Sequence, residues 1–182
     1  MPAKDIILIR HGEKGNHRVD LSKVGKIRAS GLASYFMDGA LGISRPETII
    51  AQRQLHRHSS DRCRETVTPL SERSNVTINL NHTRHDIDAL AALLKSSQFD
   101  DQIVLICMEH KSLVRLTRKF DFDVRVWSTN PMAHHDPDAF DVTWIITPGT
   151  CLRAFKQFEI RHGKIRYTIP PNKATYCRKN TG

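Results

Sequence analysis

The sequence predicts an α/β protein built as one three-layer sandwich domain, with a mostly parallel central sheet and helices on both faces. Three observations predict it. Short, largely apolar runs recur at Ile6 to Ile9, Ile103 to Cys107 and Val142 to Thr147, the pattern of strands covered on both faces. Between them lie stretches with apolar residues at helical spacing. The chain has 182 residues, enough for one domain with an ordinary core, and shows no repeat, low-complexity tract or linker.

Asp5 to Ile9 is the first strand, and it ends in Arg10-His11-Gly12-Glu13-Lys14. Leu21, Val24, Ile27, Leu32, Ala33, Phe36 and Met37 then repeat with helical period, with Asp20 or Ser22 able to cap the start and Gly39 and Gly42 ending the run. Thr48 to Ala51 reads as a second strand. A polar stretch, Gln52 to Ser60, leads to a helix over Asp61 to Glu72, kinked or restarted at Pro69. Val76 to Leu80 alternates like a strand, and Ile87, Leu90, Ala91 and Leu94 mark a short amphipathic helix.

Ile103 to Cys107 is the next buried strand, followed by Met108-Glu109-His110 and a helical run through Leu113, Val114, Leu116, Thr117 and Phe120. Trp127 to Asp138, with two prolines and His134-His135, reads as a loop. After the strand Val142 to Thr147, two alternating runs flank Arg161-His162-Gly163-Lys164, a β-hairpin turn. The basic segment from Pro170 to Gly182 reads as a loose tail.

Composition narrows the class. A hydrophobic fraction of 39% and a charged fraction of 26% are those of a globular protein. No apolar run approaches the roughly 20 residues that span a bilayer, and the first strand begins too early for a signal peptide, so a cytoplasmic location with no membrane partner is expected. Cys63, Cys107, Cys151 and Cys177 lack CxxC spacing and read as reduced thiols. The net charge of +9 fits an anionic ligand; it is spread along the chain without a polybasic block, which disfavours nucleic acid as a partner. Oligomeric state is not legible.

The chemistry concentrates where strands give way to helices. Arg10 and His11 follow a buried strand, where open α/β sheets bind ligands, and Gly12 permits a close turn. Arg62 and Thr66, four apart on a helix, share a face, and His110 stands at a helix start suited to an anion. Two guanidinium groups fit the oxygens of a phosphoryl group, and a neutral imidazole beside them can attack phosphorus. No metal or other cofactor is expected: the loop histidines lack zinc spacing. The second Arg-His-Gly, at Arg161, is a warning that the triplet alone decides nothing.

Carried by Ile7 to Gly15, Leu21 to Phe36, Ile49 to Leu70, Ile103 to Leu113 and Phe140 to Ile146, the chain resembles the histidine phosphatase superfamily, which includes cofactor-dependent phosphoglycerate mutases. It most resembles the small phosphatase branch. The resemblance implies His11 as the phosphorylated nucleophile, Arg10 and Arg62 as phosphate clamps and His110 as the second pocket histidine. Glu109 stands where many members have Gly, and Lys111 where a small residue is common. For the general acid Asp86 ranks first, Glu109 second and Asp88 third. Gly12, Glu13 and Thr66 complete the substrate-binding set, Glu13 with the alternative of orienting the loop.

The expected activity is hydrolysis of a small anionic phosphomonoester through a phosphohistidine. A catalytically silent phospho-ligand-binding module is the alternative, with mutase-type transfer and nucleic-acid binding behind it. Lys14, His17, Arg18, Arg53 and Arg57 would make the rim basic.

Overall fold

The computed structural model describes residues 2–16, 19–39, 42, 45–56, 60–130, 139–167 and 173–177. The strands β1 (Asp5–Arg10) and β4 (Ile103–Met108) are buried along their whole length and lie side by side in parallel, from Asp5 opposite Ile103 to Arg10 opposite Met108. β2 (Thr48–Ala51) flanks β4, and the two-residue β3 (Ile78–Asn79) closes that edge, both parallel. On the other side β5 (Val142–Thr147) runs antiparallel to β1, followed by β6 (Cys151–Lys156) and β9 (Lys173–Cys177), each antiparallel to its neighbour. The sheet order is therefore β3-β2-β4-β1-β5-β6-β9, in which only β5 and β9 oppose the common direction.

Alternation along the strands sorts the core into two layers. Ile7, Ile9, Ile49, Leu105 and Cys107 pack under α1 (Lys23–Met37) and α2 (Arg62–Ser74). Ile6, Leu8, Ile50, Val104 and Ile106 pack on the other face under α3 (Ile87–Lys95) and α4 (His110–Arg118). The spacing read from the sequence explains the seating of α3: Ile87, Leu90, Ala91 and Leu94 are its buried residues. Trp127 stacks on Trp144 with ring centroids 4.5 Å apart, so the loop predicted from Trp127 begins as part of the core. Its remainder, with His134 and His135, lies outside the described residues, as do His17, Arg18 and Arg57.

α2 passes through Pro69 without a restart, one of the two alternatives expected there, and Val67 and Leu70 on either side of the proline are buried. Other local expectations are corrected. The alternation over Val76 to Leu80 shrinks to two strand residues. Part of the expected loose tail is β9, since β6 offers an open sheet edge whose backbone groups pair with residues 173–177. The hairpin of β7 (Phe158–Arg161) and β8 (Lys164–Tyr167) forms a separate two-stranded sheet beside α1.

No helix among the described residues is long and apolar enough to cross a membrane.

Candidate active site

Parallel strands deliver their carboxyl ends to one edge, and the chemistry-bearing residues collect there. β1 delivers Arg10 and then His11, β2 delivers Gln52, and β4 delivers Glu109 and His110. Because Arg10 is level with Met108, His11 is level with Glu109. β5 runs the other way, so the residues leading into it, Ala139 and Phe140, arrive at the same edge. The first turn of α2 adds Arg62.

His11 is 4% exposed, and its Nδ1 lies 2.8 Å from the Gly12 carbonyl oxygen. A carbonyl only accepts, so Nδ1 carries the proton and Nε2 carries the lone pair. Burial lowers the pKa of His11 to about 3, overriding the opposing Gly12 hydrogen bond, and the charges of Arg62, Arg10 and Lys14 add to the lowering. At neutral pH the ring is uncharged, with a fixed tautomer that leaves the Nε2 lone pair available.

Two guanidinium groups stand beside it. Arg10 is 2% exposed; its Nη1 is 3.5 Å from the Ala139 carbonyl, and its guanidinium carbon lies 4.1 Å from the centre of the Phe140 ring. The same ring is 5.9 Å from that of His11, so Phe140 walls both groups. Arg62 donates through Nε to Ser60 Oγ at 2.5 Å, whereas its buried Nη1 finds no acceptor among the described residues. Burial, and then the charge of Arg10, hold the Arg62 pKa below its ordinary value, while Cys63, Glu109 and Glu65 oppose the shift. A buried cationic donor without an acceptor is costly, and an anion at this point would satisfy it.

The loop after β1 is fixed from behind. Gly12 N–H donates to Thr66 Oγ1 at 2.9 Å, and that hydroxyl donates to the Arg62 carbonyl at 2.7 Å. Glu13 receives the guanidinium of Arg28 through both carboxylate oxygens, at 2.5 to 3.0 Å, and Arg28 is itself only 5% exposed. Arg28 also reaches Gln157 Oε1 at 3.4 Å, and Gln157 bonds the first residues of β5. A Cβ on Gly25 would sit 2.4 Å from the Glu13 carbonyl oxygen, so α1 touches this loop backbone to backbone. The Gly12 N–H, the Thr66 hydroxyl and the Glu13 carboxylate are thus engaged with the protein.

The three carboxylates proposed as acids sit in different places. Asp86 Oδ2 accepts from both the backbone N–H and the hydroxyl of Thr83, each at 2.7 Å, and these bonds hold its carboxyl below the usual carboxylate range. That is the wrong direction for a proton donor. Asp88 is bound to Lys119 on the outside of the α3 and α4 layer, and that bond likewise lowers its pKa. Glu109 lies at the strand edge itself, its N–H donating to Gln52 Oε1 at 3.2 Å, its carboxylate accepting from Ser112 at 3.3 Å, its charge felt by Arg62. His110 follows as the half-buried first residue of α4, and Lys111 is exposed.

Sequence reasoning missed Phe140, Arg28 and Gln52. Gln52 had a signal, as the first polar residue after a buried strand. A cavity of about 240 Å³ is lined by Arg53, Gln54, Asp61, Arg64 and Leu80. A roomier one, about 810 Å³, lies at the opposite sheet end between Lys4, Asp38 and Glu47 and shares none of this chemistry. Among the described residues no three His, Cys, Asp or Glu side chains cluster as metal ligands would.

No family model matches the sequence, and no curated protein matches it. Among solved structures, mycobacterial hydrolase 2 is similar in fold: 13% identity over 94% of this chain and 90% of the other, with a TM-score of 0.51. The protein histidine phosphatase SixA complexed with tungstate matches at 11% identity over 90% of this chain and 94% of that one, TM-score 0.47. A phosphoglycerate mutase from Plasmodium falciparum matches at 15% identity over 79% and 83%, TM-score 0.45.

Proposed function

We propose that this chain, which has the histidine phosphatase fold, hydrolyses a small anionic phosphomonoester through a phosphohistidine on His11, without a metal. The observation that carries the proposal is the pairing of a buried neutral imidazole, its proton held on Nδ1, with an unsatisfied buried guanidinium donor on Arg62. An uncharged nucleophile next to fixed positive charge is what attack on a phosphate dianion requires.

In the first step Nε2 of His11 gives its lone pair to phosphorus, and the bond from phosphorus to the leaving oxygen breaks. Arg10 and Arg62 neutralise the equatorial oxygens, and His110 with the start of α4 adds donors from the other side. The leaving oxygen takes a proton from Glu109, which the geometry favours over Asp86. In the second step the Glu109 carboxylate takes a proton from water as it attacks phosphorus. The N–P bond breaks, and inorganic phosphate leaves.

Rapid acid-free quench during turnover of a labelled aryl phosphate is expected to trap acid-labile, base-stable label on His11. Steady-state phosphate release with no such label, or with label on another residue, would refute the mechanism; binding without any release would favour the silent module. Glu109→Gln is expected to slow the phosphorylation of His11 by an alkyl phosphate on the order of 10²-fold and by an aryl phosphate, whose leaving group needs less protonation, far less, read as the single-turnover rate of label transfer to His11. Asp86→Asn should leave both rates nearly unchanged.

A further inference from the structure

Away from this edge, the sheet brings two free cysteines together. Cys151 opens β6 and Cys177 ends β9, and the antiparallel register sets them directly opposite each other. Cys177 is exposed and Cys151 half-buried, and neither is in a disulfide. Directly opposed residues in an antiparallel pair have Cα atoms about 4.5 or 5.5 Å apart according to the hydrogen-bonding phase. A disulfide accepts roughly 4.4 to 6.8 Å, so either phase suffices. Paired residues also point to the same face of the sheet, with Cβ atoms about 4.5–5.5 Å apart, so closure asks for ~1 Å.

We infer that Cys151 and Cys177 form a reversible redox clasp, in which a mild peroxide oxidant closes a disulfide that staples the terminal strand β9 to β6. The other thiol pair provides the contrast. Cys63, in the first turn of α2, and Cys107, in β4, are also neighbours, but both are buried, which shields them from oxidant. Proximity of the outer pair shows in its titration too: burial first, then the neighbouring Cys177, raise the Cys151 pKa. Exposed Cys177 therefore meets oxidant first. Its thiolate attacks peroxide and becomes a sulfenic acid as hydroxide leaves, taking up the thiol's proton as water. The Cys151 sulfur then displaces a second water, so two thiols and one hydrogen peroxide give one disulfide and two waters.

The clasp has structural consequences. Among the described residues β9 pairs with β6 alone, covers its open edge, and carries Tyr176, whose hydroxyl donates to Asn130 Oδ1 at 3.2 Å, three residues past Trp127. Reduced, the strand opens at the rate of an ordinary edge; oxidised, it cannot leave without unfolding its surroundings.

The test uses the native full chain treated with a small excess of hydrogen peroxide, then unfolded and alkylated. Alkylatable thiols are expected to fall from four to two, with a peptide map joining Cys151 to Cys177 and dithiothreitol restoring four. Hydrogen exchange of the amides in residues 173–177 is expected to slow by ~10²-fold in the oxidised protein. Retention of four thiols, a bond between Cys63 and Cys107, a disulfide between two molecules, or a linked Cys151–Cys177 with unchanged exchange in β9 would each overturn the inference. Because the thiol count is made on unsubstituted protein, a variant that fails to fold cannot obscure the result.

Discussion

The chain carries Arg-His-Gly twice, and the two copies differ in everything but their letters. Arg10-His11-Gly12 follows a fully buried strand, and its Arg and His are 2% and 4% exposed. Arg161-His162-Gly163 is exposed: His162 and Gly163 form the two-residue turn between β7 and β8, with φ of 50° and 72°, the positive values of a type I′ hairpin. Arg161 pairs with Glu159 at 2.9 Å on the surface, whereas Arg10 lies under an aromatic ring. The same imidazole is a buried, uncharged ring in one place and an exposed turn residue in the other. Chemistry belongs to the sheet edge and to what α2, β4 and β5 bring to it.

The largest contrast is kinetic. His11→Ala should lower kcat for an aryl phosphate by ~10³-fold or more, because the covalent route is removed, whereas His162→Ala should stay within about twofold. Equal losses in the two variants would mean that the first triplet acts through folding and not through its imidazole. Next comes the partner that the second copy lacks. Arg62→Ala should cost 10²- to 10³-fold in kcat/KM, on the order of what one preorganised donor to a developing charge supplies. A protein whose kcat/KM ignores Arg62 has no phosphate clamp in α2.

How much of this was legible follows from where the information sits. β1, α1, β2, α3, β4 and α4 each declare themselves in one contiguous stretch, so their existence, and the expectation that Arg10, His11, Arg62 and His110 stand where strands give way to helices, could be reasoned from the chain. The direction of β5 could not: a buried run reads the same both ways, and only its antiparallel pairing brings Phe140 to Arg10. Arg28 reads as one polar position between apolar ones, and its burial depends on Glu13 fifteen residues earlier. β9 depends on a free edge on β6, a property of another segment. Asp86 is the instructive case, because Thr83-x-x-Asp86 is a capping pattern visible in the sequence, and its local hydrogen bonds account for the lowered pKa.

A pH effect sharpens the contrast from the side of stability. His11 has a folded-state pKa of about 3 against an ordinary 6.5, so above pH 6.5 the ring is neutral whether the chain is folded or not. As pH falls below 6.5 the unfolded chain takes a proton that the folded chain refuses, and stability drops toward pH 3, where the folded ring also titrates. The slope from this one group approaches ~1.4 kcal/mol per pH unit. His11→Gln should therefore lose less of its urea-unfolding free energy than the parent chain between pH 6.5 and 4. Parallel profiles would show that His11 is wetter than its burial implies.

The smallest expected effects separate the two glycines, which share a letter for different reasons. A Cβ on Gly12 would stand 3.0 Å from the Gly25 carbonyl oxygen and 3.2 Å from its Cα, so Gly12 is required by close approach to the α1 backbone. Gly163 has open space around it, the nearest atom being 3.9 Å away, and is required by its φ of 72°. Gly12→Ala should displace the loop carrying His11 by a few tenths of an ångström and lower kcat on the order of tenfold. Gly163→Ala should leave kcat unchanged and cost about 1 kcal/mol, which lowers Tm by roughly 2–4 °C in a chain of this size. Thermal melts and initial rates on the two variants place each glycine: a Gly163→Ala protein slower at unchanged Tm would connect the hairpin turn to the active edge and undo the distinction between the two triplets.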